Sequence, residues 1–250
     1  MATTRGGPAA PRRRLVILLA GAAGCLDAVG YLMLGLFTAN MTGNTILLGL
    51  SVGREAWADA AHNVAALAAF VIGAGAGSAA TRGIRRIAPG LGFEALVLAA
   101  AVAVWLLFGA PRGRVAEPAV YWLIALLAAA MGIQSAAVRR VGEQRVATTY
   151  VTGTLTTLAT DTAGDLLDRW SARRGPDAGA VRRVPAAGNP EARPRGRTLM
   201  TGLWAAYLLG ALIGGFVEQR WSMWAVVAPV VVLVAVMGSD LAHRPREGAA

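Results

Sequence analysis

The chain has 250 residues, 56% of them hydrophobic and only 15% charged. A soluble domain is about one-quarter charged, so this balance is displaced toward lipid. All 24 basic residues are arginine, against 14 acids, for a formal charge of +10. The absence of lysine excludes Schiff-base and phosphate-loop lysine chemistry. One cysteine and two histidines exclude an intramolecular disulfide and a Cys/His zinc cluster.

Six apolar runs are long enough to cross a hydrocarbon core, which takes about 20 residues of helix. A basic tail (1–14) leads into the first, Leu15–Leu36, which carries Asp27 near its middle. Arg12, Arg13 and Arg14 ahead of Cys25 imitate a lipoprotein signal. The run continues past Cys25 to Leu34, and Ala22 stands where such signals carry a large aliphatic residue, so cleavage is not expected. A short polar-apolar segment follows, Asn40–Gly53, too short to cross at ~1.5 Å per residue. Next come the runs Ala60–Thr81, Leu91–Ala110 (with Glu94 near one end) and Ala119–Val138. The second short segment, Thr149–Leu166, carries Asp161, Asp165 and many threonines, a heavy polar load for lipid. An Arg/Pro/Gly-rich stretch at 168–197 reads as a disordered cytoplasmic linker. Thr198–Val217 and Trp221–Gly238 complete the six, Pro229 is expected to kink the last, and 239–250 form a second cytoplasmic tail.

Arginine sets the orientation. With both termini cytoplasmic, 20 of the 24 arginines fall on the inner side, the pattern of a positive-inside membrane protein. Trp57, Trp122, Trp221 and Trp224 then sit at outer ends, where an aromatic belt is expected.

The text also repeats itself. Gly24-Cys25-Leu26-Asp27-Ala28, followed by Ala39–Asn44, is echoed by Gly132-Ile133-Gln134-Ser135-Ala136, followed by Thr149–Thr154. Ala69–Gly77 is echoed by Ala206–Gly214, in the same order. The expected fold is all-α: a polytopic transmembrane bundle of six spans in two repeats, 15–110 and 118–238, each with an extra broken or re-entrant helix. Three spans per half turn the second repeat upside down, an inverted repeat of the kind found in secondary transporters.

Broken segments of such repeats meet near the midplane, where irregular backbone is allowed only against protein or a wet cavity. Thr42-Gly43 and Thr152-Gly153 fit that need: glycine permits unusual backbone angles, and threonine can replace a missing backbone partner. A helix starting there would aim N–H groups at an anion or carboxylate.

At these residues the chain resembles the YoaK-type family of bacterial membrane proteins, a domain of unknown function. The likeness rests on Ala39-Asn40-Met41-Thr42-Gly43-Asn44-Thr45 after the Gly-x-x-Asp-Ala helix, and on Val146–Leu155. It runs from Leu15 to Gly238 and implies a six-helix inner-membrane protein with no established activity. The chain departs from the pattern at Ser135, where a larger polar residue is expected, and in its long linker.

Candidate residues follow. Asp27, Asn40, Thr42, Gly43, Asn44, Thr149, Tyr150, Thr152, Gly153 and Thr154 are expected to bind a solute; Asp27, Asp161 and Asp165 to hold a proton or cation. An ionised Asp at a helix centre costs ~2.5–3.5 kcal/mol on insertion scales and so belongs in the bundle interior. Its other reading is a hydrogen-bonded Asp that fixes helix packing. Asp161 and Asp165, four apart, share a helix face that equally suits the inner membrane surface. Gly73, Gly77, Gly210 and Gly214 are packing glycines. No catalytic, metal or cofactor constellation emerges, and the basic excess is explained without nucleic acid. A small-solute or ion permease is the expected function. The alternative is a membrane scaffold whose Arg-rich linker binds anionic lipid or a cytosolic partner. Bilayer lipid is the expected surround, and a homo-oligomer is compatible with the glycine faces.

Overall fold

A computed structural model describes residues 10–82, 87–108, 117–141, 151–174, 193–221 and 225–242. Eight helices run through them, with no strand among the described residues: α1 (Ala10–Leu34), α2 (Met41–Gly53), α3 (Trp57–Ala80), α4 (Ala88–Phe108), α5 (Glu117–Val141), α6 (Val151–Arg174), α7 (Arg193–Trp221) and α8 (Val227–Ala242). Five of them, α1, α3, α4, α5 and α7, are long and apolar enough to cross a membrane.

The sixth expected span is different. Trp221 closes α7 rather than opening a run, and α8 begins only at Val227, leaving an apolar helix of 16 residues. Pro229 lies in its first turn, where a proline costs no backbone bond, so it starts the helix instead of kinking it. The second short segment also differs. α6 is a continuous 24-residue helix that runs on to Arg174, and α7 already starts at Arg193. Both ends of the expected linker at 168–197 are therefore helical; 175–192 lie outside the described residues.

Proline and glycine mark the helix ends that can be read. Pro11, Pro89 and Pro118 stand in the first turns of α1, α4 and α5, where their missing N–H would have had no helical partner. α1 stops at Gly35, whose φ of 71° only glycine adopts without strain; its N–H still reaches Tyr31 O at 3.0 Å. α4 gains its start from far away: Asp240 Oδ2 in α8 accepts from the N–H groups of Ile87 and Ala88 at 3.2 and 3.1 Å.

α1 and α5 form the centre. In each, 61% of the span is buried, against 11% for α7 and 22% for α4. Leu19, Leu26, Leu91, Leu123, Met131 and Leu233 fill the interior between α1, α4, α5 and α8. Outward, Val71, Ile72, Leu96, Leu107, Leu212 and Val234 are exposed, an apolar girdle that water would not tolerate and lipid does.

Two helix crossings hold the bundle, and they are alike. α1 lies on α7 with no room for a side chain between them. A Cβ on Gly24 would strike Tyr207 O, one on Gly210 would strike Gly21 O, and one on Gly214 would come within 2.6 Å of Cys25 O. α3 lies on α5 the same way: a Cβ on Gly132 would strike Phe70 O, one on Gly73 Ala129 O, and one on Gly77 would come within 2.8 Å of the Ile133 Cα. The sequence echo pairs Gly24 with Gly132, Phe70 with Tyr207, and Gly73 with Gly210, so each contact in one crossing has its counterpart in the other. α2 packs on α3 as α6 packs on α7. Direct backbone contact of this kind is how helices associate in lipid, where the hydrophobic effect offers no drive.

Candidate functional site

Asp27 lies seven residues before the end of α1, about 10 Å below it along the axis. It is 2% exposed, and both carboxylate oxygens are engaged. Oδ1 accepts from the Ala39 N–H at 2.6 Å, the Asn40 N–H at 3.2 Å and the Thr38 hydroxyl at 3.3 Å. Oδ2 accepts from the Tyr207 hydroxyl of α7. These bonds draw the chain after Gly35 back down beside α1 before α2 begins. α2 then spans 13 residues, roughly 20 Å, and turns at once into α3 through a bond from Ala56 N to Ser51 O of 2.9 Å. Its start lies beside Asp27, and its end passes directly into α3.

The connection is stitched by asparagines. Asn40 is the N-cap of α2 and accepts from the Gly43 N–H at 3.2 Å. Asn44, fully buried, grips Phe37 by both ends of its peptide: Nδ2 donates to Phe37 O at 2.6 Å, and Oδ1 accepts from Phe37 N at 2.8 Å. Phe37 stacks on Tyr31 with centroids 5.1 Å apart.

The structure thus brings Asp27, Asn40 and Asn44 together and assigns them work on the backbone. The expected anion at the helix start is present, but it is the protein's own Asp27. Gly43 takes an ordinary helical place in the first turn of α2; the unusual backbone sits at Gly35. What Gly43 supplies is room, since a Cβ there would come within 2.7 Å of the Phe37 ring. Thr42 is exposed.

The second segment is not brought to the first. Gly153 lies in α6, and among the described residues α6 packs on α7 and makes no contact with α2. Thr149 and Tyr150 lie outside the described residues, as do the side chains of Thr152 and Thr154. Asp161 and Asp165 are half-buried along α6. The hydroxyls of Thr157, Thr160 and Thr162 bond to carbonyls one turn back, at 2.7 to 2.9 Å. That is how a threonine-rich helix reduces its polarity in place. Gly73, Gly77, Gly210 and Gly214 pack helices as expected.

Two functional candidates were not singled out from the sequence. Tyr207 completes the Asp27 site; the echo holds the clue, because Asp27 and Tyr207 correspond to Ser135 and Phe70. Phe70 has no hydroxyl to offer, and Ser135 Oγ is buried without a partner. Glu94 is fully enclosed in α4 with neither oxygen bonded. Its signal, an acid inside an apolar run, is plain in the text. α5 adds Gln134, whose Nε2 donates to Leu19 O of α1 at 3.1 Å.

A family model described as "Protein of unknown function (DUF1275)" matches residues 15–239. The UPF0700 transmembrane protein YoaK of Bacillus subtilis (strain 168) is 37% identical over 161 residues, which are 63% of this chain and 70% of that protein. No solved structure matches the chain.

Proposed function

Since the chain belongs to the DUF1275 family of membrane proteins, whose function is unknown, we propose its activity from its own geometry: a permease for a small solute or ion, without enzymatic chemistry. The observation that carries this is α2, a 13-residue helix hung at its start from a buried carboxylate, which in this reading enters the membrane partway. Half-crossing helices are built where a protein must open a polar path, because elsewhere their unpaired termini are a liability in lipid. The matched crossings of α1 on α7 and α3 on α5 support two repeats of three spans, with α8 as a short sixth span. The positive-inside arginines support cytoplasmic termini in a bacterial inner membrane. In this reading the solute passes between the halves, α2 and α6 are the corresponding gates of its path, and Asp27 anchors the first.

The test is uptake by purified protein in liposomes, with a panel of labelled amino acids, sugars, nucleosides and inorganic ions. Uptake above empty liposomes, lost in Gly43→Ala while the fold persists, is the expected result. A panel in which nothing enters refutes the permease. Deleting residues 177–195 separates it from an Arg-linker scaffold, since a permease keeps its uptake without them.

A further inference from the structure

Two polar atoms at the far end of α2 are buried without a hydrogen-bond partner: Asn63 Oδ1 and His62 Nε2. Asn63 is 4% exposed, and its amide has one sensible orientation, because Nδ2 donates to Asp59 O at 2.8 Å. Turning it over would set oxygen against oxygen. His62 meets the Tyr121 ring edge-on, centroids 4.7 Å apart. A buried acceptor without a donor lowers stability, and native proteins keep few of them without a reason.

Both residues line one cleft of about 190 Å³ between the α1–α2 connection, the end of α2 and the start of α3. That volume is smaller than the pockets of drug-sized ligands. Leu34, Leu36, Leu47 and Leu50 make its apolar wall. Arg54 closes α2 on one side, and Asp59 stands in the first turn of α3 on the other, both exposed.

These groups constrain what fits. Asn63 Oδ1 requires a donor, which a bare carboxylate lacks. A simple amine would satisfy Asn63 and Asp59 but meet Arg54 unscreened. A molecule with an ammonium group, a carboxylate and a short apolar body answers Asn63, Asp59, Arg54 and the leucine wall at once. We propose that this cleft binds a small amino-carboxylate zwitterion, its ammonium toward Asn63 and Asp59, its carboxylate toward Arg54 and its body on the leucines.

The cleft's place in a transport path rests on the reading of α2 as a gate. α2 is flanked by the two positive-φ residues among the described ones, Gly35 at 71° and Glu55 at 58°. Gly35 lines the cleft, and Glu55 lies between two residues that do. A ligand that draws Arg54 toward Asp59 therefore acts on the end of α2 and beside the Gly35 bend that precedes it.

Calorimetric titration of the detergent-purified full chain with L-leucine tests the site. Two analogues accompany it: 3-methylbutylamine, which lacks the carboxylate, and 4-methylpentanoate, which lacks the ammonium. Leucine is expected to bind saturably and each analogue roughly ten-fold or more weakly, the loss of one charge-assisted contact. Asn63→Leu should remove binding. Because Asn63 is buried, Arg54→Gln on the exposed rim provides the second variant: binding roughly ten-fold weaker at an unchanged melting temperature. No leucine binding, an analogue as tight as leucine, or an Arg54→Gln variant that binds normally each overturns the proposal. Leucine binding without uptake into liposomes would sink the permease and leave the site standing. Uptake of other solutes without leucine binding would sink the site alone.

Discussion

Replacing Asp27 with alanine removes the acceptor of four donors. The Ala39 and Asn40 N–H groups cannot turn elsewhere, since the chain there is fixed between α1 and α2. Each orphaned buried donor costs about 1–3 kcal/mol, so the two together cost about 2–6 kcal/mol. The hydroxyls of Thr38 and Tyr207 can rotate and add less. At ~2–4 °C per kcal/mol for a chain of this size, the melting temperature should fall by about 10 °C. Asp27→Asn should cost far less, because its remaining oxygen still accepts from both N–H groups while its NH₂ faces Tyr207, whose oxygen accepts. The assay is built in. Cys25 is the chain's one thiol, 3% exposed against α7, so a thiol-reactive fluorophore reports the opening of that crossing on heating. Asp27→Ala melting within a degree or two of the wild type, or Asp27→Asn as low as Asp27→Ala, would refute the account of Asp27 as the anchor of α2.

Four further expectations follow from packing, burial and topology. Gly210→Ala puts a methyl group against Gly21 O; overpacking of this kind costs about 1–3 kcal/mol, visible as a lower melting point. Gly49→Ala, where a Cβ meets nothing within 4 Å, should be neutral or stabilising by about 0.5–1 kcal/mol. Glu94→Gln removes an ionisable group that has no partner, so the melting point should hold or rise; a clear fall would mean that Glu94 has a bonded role. On a Cys25→Ala background, cysteines at Gly53 and Asp177 should label from opposite faces of the membrane, and labelling from one face would overturn the inverted arrangement.

The first half of the fold was legible because its punctuation is strong. Asn40 and Gly53 bound α2 in the text as they do in space, since a capping asparagine and the chain's return at Arg54 leave little freedom. The second half was harder. Threonines and aspartates made 149–166 look broken, yet hydroxyl bonds to the preceding turn let α6 continue to Arg174. Trp221 reads as the start of an apolar run but ends α7, because tryptophan suits either side of a membrane boundary. For the site, Asp27 was found and its task was not: periodicity locates a carboxylate on a helix, but it does not reveal that the chain 12 residues later folds back to meet it. Tyr207 lies 180 residues away and was readable only by aligning the two repeats. Asn63 and His62 carry no signal in the sequence, because only the fold buries their polar atoms.

The pairing of α1 with α7 also governs how the protein is made. At synthesis rates of roughly 5–20 residues per second, Tyr207 emerges about ten to forty seconds after Asp27. During that interval the first helix sits in the bilayer with its glycine face uncovered, and only the donors of its own turn hold the carboxylate. α5 likewise arrives to complete α3 before α7 exists. The insertion machinery or the surrounding lipid must therefore shelter α1 until nearly the whole chain has entered the membrane, and neither half can finish its own assembly alone.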